Sequence, residues 1–169
     1  WHIIEATDHR YRDMMTGRIL LREIEHALGD PPHDERRLSD APTDREELDL
    51  LPDAPEAQIT LLDRIDLTQT IDRDVYRKRL DELQTELNEL AWQAYKRSIA
   101  TILVFEGVDA AGKGGAIRRV TQAVDSRLRE VIPIAAPTDE EKAHHYLWRF
   151  WRRVPRAGRM AIFDRSWYG

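Results

Sequence analysis

One stretch of the sequence decides the fold of this chain, and it reads Thr101-Ile102-Leu103-Val104-Phe105-Glu106-Gly107-Val108-Asp109-Ala110-Ala111-Gly112-Lys113-Gly114. Its first part, Thr101–Phe105, is a continuous apolar run, which predicts a short strand buried on both faces of a parallel sheet. The part from Gly107 matches the pattern G-x-x-x-x-G-K, in which a glycine-rich turn leads into a helix whose N-terminus binds phosphate. The stretch therefore predicts a P-loop.

Within this loop, backbone N–H groups and one lysine are the expected phosphate ligands. Lys113 is expected to reach the transferring phosphates, while the glycines let successive amides turn inward. Gly114 stands where a Ser or Thr hydroxyl would bind magnesium, so another oxygen must serve, and Asp109 is the candidate. The plainer interpretations are a glycine-rich turn beside a surface lysine and, for Asp109, an Asx turn. The predicted phosphate-binding residues of the loop are Gly107, Ala110, Ala111, Gly112, Gly114 and Gly115.

A second acidic residue follows an apolar segment near the end of the sequence. Asp164 comes directly after Met160–Phe163, the position at which P-loop proteins place an acid that holds magnesium. Arg165 beside it could neutralise phosphoryl charge. Taken alone, Asp164 would serve equally well as a helix cap, but with the loop upstream we interpret it as a magnesium ligand. The predicted catalytic residues are Asp109, Lys113, Asp164 and Arg165, with Asp109 and Asp164 as ligands of a Mg²⁺ cofactor.

The residues after the loop continue an alternation of helices and strands. A helix is predicted at about 113–123, and strands at 130–135 and 160–163. Between these strands, 139–154 is predicted as one helix that the capping box Thr138–Glu141 begins. This order indicates an α/β fold, a parallel sheet with helices on both faces. Open sheets of this type usually have about five strands, so the fold is expected to be incomplete at the C-terminus, with further strands and a lid after Gly169.

The chain before the loop divides into three parts. Trp1–Leu28 has apolar or long side chains at three- and four-residue steps, which predicts a helix that a glycine and two prolines end. Asp30–Gln58 has five prolines, and its ten acidic residues against three basic ones give a net charge of −7, which indicates a linker. Asp72–Ala100 has helical apolar spacing and predicts a long amphipathic helix, capped by Asp72 or Asp74.

Composition excludes several classes of protein. The 169 residues suffice for one ordinary domain, and the absence of cysteine excludes disulfides and thiolate metal sites. No apolar run approaches the roughly 20 residues that span a bilayer. We expect a cytoplasmic location, no membrane attachment and no nucleic-acid partner, and self-association stays open. From Ala100 onward, twelve basic residues against eight acidic ones give a net charge of +4, which could attract phosphates.

Arginines beyond the loop are further candidate phosphate contacts, because guanidinium groups bind phosphates through paired hydrogen bonds. For any one of them, a solvated surface arginine is the plainer interpretation. His144 and His145 have no suitably spaced acidic or cysteine partner, so no metal site is predicted there. The candidates are Arg118, Arg119, Arg127, Arg149, Arg152 and Arg153.

Several motifs recur together in one known family. They are Glu106 to Gly115, Ile117-Arg118-Arg119-Val120-Thr121, Pro137-Thr138, Leu147-Trp148-Arg149 and Asp164-Arg165-Ser166-Trp167-Tyr168. In this combination the chain closely resembles the polyphosphate kinase 2 family, from about Ile59 to Gly169. The resemblance implies a P-loop kinase core with a helical lid. It also implies transfer of the terminal phosphoryl group of inorganic polyphosphate to a nucleotide, with magnesium.

Carried over by position, the resemblance implies the loop residues and the Asp164–Arg165 pair in the roles given above, with Arg118, Arg127 and Arg149 as phosphate contacts. One departure concerns the second of these arginines. The family usually has a proline before it and a glycine after it, whereas this chain has Ser126 and Leu128.

The N-terminal segment is similar to the tail end of the same family's domain, in Glu5-Ala6-Thr7-Asp8-His9-Arg10-Tyr11. We therefore expect residues 1–29 to be the helical tail of a preceding domain, 30–58 an acidic Pro-rich linker, and 59–169 the N-terminal part of a P-loop kinase domain. Family members with two such domains are typically polyphosphate:AMP phosphotransferases that produce ADP. The analogy favours AMP over ADP as the acceptor.

Three other functions stay open from the sequence. The chain could belong to a polyphosphate-dependent ADP kinase. It could belong to an ATP-dependent P-loop kinase of a nucleotide or small molecule. It could also be an inert phosphate-binding fragment that lacks its lid.

Overall fold

The structure is a computed structural model, and it describes residues 2–29, 66–108 and 110–167. The predicted linker at 30–58 and the predicted magnesium ligand Asp109 lie outside these ranges. The helices and strands are α1 (His9–Gly29), α2 (Arg73–Lys96), β1 (Thr101–Phe105), α3 (Lys113–Ala123), β2 (Arg129–Pro133), α4 (Asp139–Lys142), α5 (Trp148–Trp151) and β3 (Met160–Asp164).

The three strands form one parallel sheet in the order β1-β3-β2. Side chains of β3 alternate between its faces, so that Met160 and Ile162 enter one apolar cluster while Ala161 and Phe163 enter another. Helices α1, α2 and α3 contribute to the first cluster, and α5 contributes Phe150 to the second. The predicted α/β fold, a parallel sheet with helices on both faces, is therefore confirmed.

Several predicted boundaries agree with the structure, and local caps fix two of them, while the strand predicted at 130–135 lies at Arg129–Pro133. Asp72 caps α2 by accepting hydrogen bonds from the backbone N–H groups of Asp74 (2.8 Å) and Val75 (3.3 Å). The capping box at Thr138 and Glu141 is also present, with the Thr138 N–H donating to Glu141 Oε2 at 2.9 Å. Strand β1 and helix α3 have the predicted limits.

The predicted helix at 139–154 is wrong, because the structure has two short helices separated by a turn. The backbone N–H of Leu147 donates to His145 Nδ1 at 3.3 Å, which replaces the helical acceptor. The rings of His144 and His145 stack on Trp148 and Trp151. These stacked rings hold the turn between α4 and α5.

Two further expectations differ from the structure. Helix α1 begins at His9 and not at Trp1, because Asp8 accepts hydrogen bonds from the backbone N–H of Arg10 (2.7 Å) and of Tyr11 (3.4 Å). Strand β1 is not buried on both faces, since Ile102 is 47% exposed. Within the described sheet β1 pairs with β3 alone, so it forms an edge.

Helix α1 is an integral part of the apolar core. Met14, Leu21 and Ile24 are buried, whereas Arg18 on the same predicted stripe is exposed. The ideal Cβ position at Gly17 lies 3.7 Å from Leu83 Cβ of α2, so the two helices approach closely at this point. No helix in the described ranges is long and apolar enough to cross a membrane.

Candidate phosphate-binding site

The predicted P-loop lies between β1 and α3, at the carboxyl edge of the sheet. Gly112 is the N-cap of α3 and has a φ of 80°, the left-handed region that glycine adopts without strain. Gly112 itself makes no side-chain cap hydrogen bond, and the first N–H groups of a helix are suited to bind an anion. Ala110 also has a positive φ, 67°, which adds strain to the turn.

Lys113 lies across its own loop. Its Nζ donates hydrogen bonds to the carbonyl oxygens of Gly107 (2.6 Å) and Val108 (2.9 Å). These contacts fold the ammonium back over the turn. A bound phosphate offers stronger, charged acceptors at the same nitrogen.

The sheet register brings the second predicted motif directly beside the loop. Asp164 pairs with Phe105, the last residue of β1 before the loop, and with Pro133 of β2. The next residue, Arg165, donates its backbone N–H to the Phe105 carbonyl oxygen at 2.9 Å. Its φ of 78° is unusual for a residue with a side chain and costs on the order of 1–3 kcal/mol. Strain of this kind is typical of functional sites.

Glu106 joins the two motifs, a role that the sequence analysis missed. Its Oε2 accepts hydrogen bonds from the Ser166 hydroxyl (2.6 Å) and the Ser166 N–H (2.9 Å). The hydrogen bond from the Ser166 hydroxyl is the largest cause that holds the pKa of Glu106 below its ordinary value. Desolvation raises the pKa. The N–H groups of Ser166 and Gly107 and the positive charge of Lys113 lower it further. The sequence does contain a pattern that could have indicated this contact. Glu106 follows β1, and Asp164-Arg165-Ser166 stands at the end of the parallel strand β3.

These elements enclose an open cavity of about 310 Å³. Among the described residues, two cationic side chains and one carboxylate line it together with loop backbone, which suits a phosphate chain accompanied by a cation. A larger cavity of about 380 Å³ lies between α1 and α2, but its lining, which includes His9, Arg73 and Tyr76, contains no loop residue. We assign the site to the smaller cavity, lined by Ala110, Gly112, Lys113, Gly114, Asp164 and Arg165.

The described residues fit a magnesium ion that is held jointly by the protein and by substrate phosphates. Mg²⁺ is usually held by one or two carboxylates together with substrate phosphates and water. Asp164 supplies one such carboxylate in the cavity, next to Lys113. Among the described residues no group of three acidic or histidine side chains could hold a metal ion alone. Asp164 is therefore the described residue that could serve as a ligand of such an ion.

The structure separates the three arginines that the family resemblance implies as phosphate contacts. Arg149 lies at the carboxyl edge of the sheet, where its Nη2 donates to the Ala135 carbonyl oxygen at 2.8 Å. Arg118 is exposed on α3. Arg127 precedes β2 at the opposite edge, where it pairs with Asp125 (2.8 Å) and lies over the Trp92 ring. The fold therefore does not bring Arg127 to the loop.

A buried polar cluster on the α1 side of the loop was also missed from the sequence. Asp13 of α1 is 4% exposed. It accepts hydrogen bonds from Arg12 Nη2 (2.6 Å) and from the Tyr76 hydroxyl (3.0 Å), and Arg119 Nε lies 3.4 Å away. Burial, and then the hydrogen bond to Asp13, raise the pKa of Tyr76 against the opposing effect of Arg119. The sequence hint was an aspartate beside the buried stripe of α1. We call these four residues, Arg12, Asp13, Tyr76 and Arg119, the Asp13 cluster.

Comparison with known proteins now identifies relatives of this chain. Residues 70–169 match the family model of polyphosphate kinase 2. The polyphosphate:AMP phosphotransferase of Pseudomonas aeruginosa is 46% identical over 169 residues, which are 100% of this chain and 32% of that protein. ADP-polyphosphate phosphotransferase 3 of Rhizobium meliloti is 46% identical over 93 residues, 55% of this chain and 33% of that protein.

A solved structure gives the same result. The crystal structure of a polyphosphate kinase 2 from Pseudomonas aeruginosa superimposes with a TM-score of 0.61 at 43% identity, covering 100% of this chain and 31% of that one. The chain thus spans about a third of the length of these relatives.

Proposed function

Because the chain belongs to the polyphosphate kinase 2 family, we propose that its protein transfers the terminal phosphoryl group of inorganic polyphosphate to AMP, giving ADP. The observation that carries this proposal is the register of Phe105 with Asp164, which sets Lys113 and Arg165 around one cavity at the P-loop. In the reaction the terminal phosphoanhydride bond breaks, and an oxygen of the AMP phosphate forms the new bond to phosphorus. The shortened polyphosphate leaves with the bonding electron pair.

Each residue in this proposal acts by position and charge. The first amides of α3 and Lys113 bind phosphate oxygens, and Lys113 exchanges its contacts with Gly107 and Val108 for them. Arg165 offsets negative charge on the transferred group, which gathers as the bond breaks. Asp164 and the predicted ligand Asp109 would hold Mg²⁺, which would supply positive charge to offset that of the phosphates.

The acceptor is proposed to be AMP because of how the relatives align. The relative named for AMP matches the whole chain, including α1 and residues 30–65. The relative named for ADP matches 93 residues. The AMP-named relative therefore matches the segment before residue 70, whereas the match to the ADP-named relative covers 55% of this chain. This supports AMP over ADP.

The test is phosphoryl transfer by the full-length protein with polyphosphate and magnesium, with AMP and ADP offered separately. ADP formed from AMP is the expected result. ATP formed from ADP, with no product from AMP, would assign the protein to the ADP-kinase branch. Absence of product with polyphosphate, together with activity when ATP is the donor, would overturn the proposed donor.

Asp109 provides the matched test of the metal proposal. Asp109→Asn keeps the size of the side chain and removes its charge, so turnover is expected to fall to background while the melting temperature stays near wild type. Asp125→Asn, a charged residue at the opposite edge of the sheet, is the control. Wild-type turnover in Asp109→Asn would remove Asp109 from the site.

A further inference from the structure

Arg12 of α1 lies directly against the phosphate loop, in space that two glycines leave open. A Cβ atom at Gly112 would lie 1.5 Å from Arg12 Nη1, and one at Gly115 would lie 2.7 Å from Nη2. Gly115 is within α3, where alanine would be favoured by about 1 kcal/mol from helix propensity. Glycine at these positions makes room for the guanidinium.

The charges around Arg12 favour an anion at the loop. Its side chain is 12% exposed, and its acidic partner among the described residues is Asp13, which Arg119 also approaches. Two guanidinium groups thus share one carboxylate. The remaining positive charge lies near the N-terminus of α3, where the helix dipole and Lys113 are also positive. Positive charge gathered at this end of α3 attracts an anion to the loop.

The Asp13 cluster also fixes the guanidinium. Asp13 Oδ1 accepts from Arg12 Nε (2.9 Å) as well as Nη2 (2.6 Å), so the group is held at two of its nitrogens. The Tyr76 hydroxyl, which donates to Asp13, accepts from Arg119 Nε of α3 at 3.1 Å. Hydrogen bonds therefore connect α1, α2 and the helix that begins at the loop. Arg12 does not line the loop cavity itself, so it must act through the backbone and through its charge.

We propose that Arg12 is a positioning residue of the phosphate loop, and that α1 is thereby part of the polyphosphate-binding site. This inference rests on the proposed function, and it concerns how the phosphoryl donor, polyphosphate, is bound. The guanidinium supports the backbone at Gly112 and Gly115 and adds positive charge behind the amides that bind phosphate.

The test measures binding of tripolyphosphate with magnesium to the full-length protein by calorimetry, without nucleotide, so that no transfer is required. Tripolyphosphate binding that is lost in Lys113→Met is binding at this loop. Arg12→Met keeps an extended side chain without charge, and it is expected to weaken this binding about ten-fold and to reduce its salt dependence. Arg12→Lys retains the charge and should bind within about three-fold of wild type. Arg18→Met, exposed on the same helix, is the control and should bind as wild type.

Gly115→Ala tests the same contact without removing the arginine. Its methyl group would displace the guanidinium, so binding should weaken as in Arg12→Met, and the double variant should be no weaker than either single one. Additive losses would overturn the proposal. So would wild-type binding in Arg12→Met, equal losses in Arg12→Lys and Arg12→Met, or no tripolyphosphate binding by the wild-type protein. Binding without transfer to AMP would overturn only the proposed function.

Discussion

Two carboxylates on either side of the loop have opposite surroundings. Asp164 lines an open cavity together with Lys113 and Arg165. Asp13 is 4% exposed and accepts hydrogen bonds from Arg12 of its own helix and from Tyr76 of α2. A carboxylate that meets a cation of a substrate complex must stay accessible, whereas a structural carboxylate must be satisfied inside the protein. We call the side with Asp164, Lys113 and Arg165 the open side of the loop, and the side with the Asp13 cluster its buried side. The open side provides charge for the substrate, and the buried side supports the loop.

Removing a charge from the open side should have the largest effect on phosphoryl transfer. Lys113→Met is expected to reduce polyphosphate-dependent transfer by about a thousand-fold or more, because its ammonium would no longer stabilise the transferring phosphates. The melting temperature should stay close to wild type, since the lysine contacts only loop carbonyls in the described structure. The measurement is steady-state transfer beside a thermal melt.

The matched control for this variant is Lys142→Met. Lys142 is an exposed lysine that pairs with Asp139 at 3.0 Å, away from the loop cavity. It should leave both activity and melting temperature unchanged. Activity of Lys113→Met within about ten-fold of wild type would contradict the role assigned to the open side.

The buried side should respond in stability more than in chemistry. Asp13→Ala leaves the cations of Arg12 and Arg119 without their shared carboxylate, which is expected to lower the free energy of unfolding by about 3–5 kcal/mol. The transition to follow by denaturant titration is the one that includes α1 and α2. Asp81→Ala, on the exposed face of α2, is the control and should change it little.

Transfer by the folded Asp13→Ala protein should fall far less than in Lys113→Met. The loop cavity retains its own charged side chains in this variant. An Asp13→Ala protein with wild-type stability would show that the Asp13 cluster does not support the fold. An Asp13→Ala protein that keeps its stability but loses activity would show that Asp13 acts in phosphoryl transfer and not in stabilising the fold.

Sequence reasoning predicted the open side better than the buried side, for a physical reason. The loop and Asp164 follow apolar strands in the chain, so a local pattern and the rule that parallel strands end at one edge suffice to bring them together. The Asp13 cluster instead joins residues that are 63 positions apart, as in Asp13 and Tyr76. A single charged residue on a helix gives no indication of its distant partner. Asp13 could therefore be read only as another polar residue of α1.

The same limit explains two of the errors in the elements. The predicted helix at 139–154 has good helical spacing, but the stacking of His144 on Trp148 depends on the tertiary position of both rings. The predicted burial of β1 depended on neighbouring strands that spacing cannot reveal, and Ile102 is exposed at an edge. The local caps at Asp72 of α2 and at Thr138 of α4 were predicted, whereas the cap at Asp8 that begins α1 was not.

Glu106 tests the connection between the loop and the Asp164–Arg165 motif. Glu106→Gln keeps the shape and one acceptor oxygen but weakens the charge-assisted hydrogen bonds from Ser166. We expect kcat to fall about ten-fold, because Asp164 is then held less firmly beside the loop. The KM for polyphosphate should change less.

The measurement for Glu106 is a double-mutant cycle with Ser166→Ala. If the two side chains act together, the double variant should lose no more activity than Glu106→Gln alone. Glu130→Gln, an exposed glutamate paired with Arg153, is the control. Fully additive losses would show that Glu106 acts on the loop without Ser166.

The smallest effect concerns Asp8, which connects α1 to the start of α2 through a hydrogen bond from the Ile71 N–H at 3.3 Å. Burial opposes its charge, but hydrogen bonds from Arg10, Ile71 and Tyr11 outweigh it and lower the pKa from 3.8 to about 2. A lowered folded-state pKa contributes stability above the unfolded value, and this contribution is lost as the pH falls from about 4 toward 2. Asp8→Asn should therefore lower the free energy of unfolding by about 1 kcal/mol at pH 7. In urea titrations between pH 7 and 2.5, the gap between wild type and variant should narrow only below about pH 4. A gap that stays constant down to pH 2.5 would mean that the charge of Asp8 contributes nothing to holding α1 against α2, and that the support of the loop from its buried side begins at Asp13.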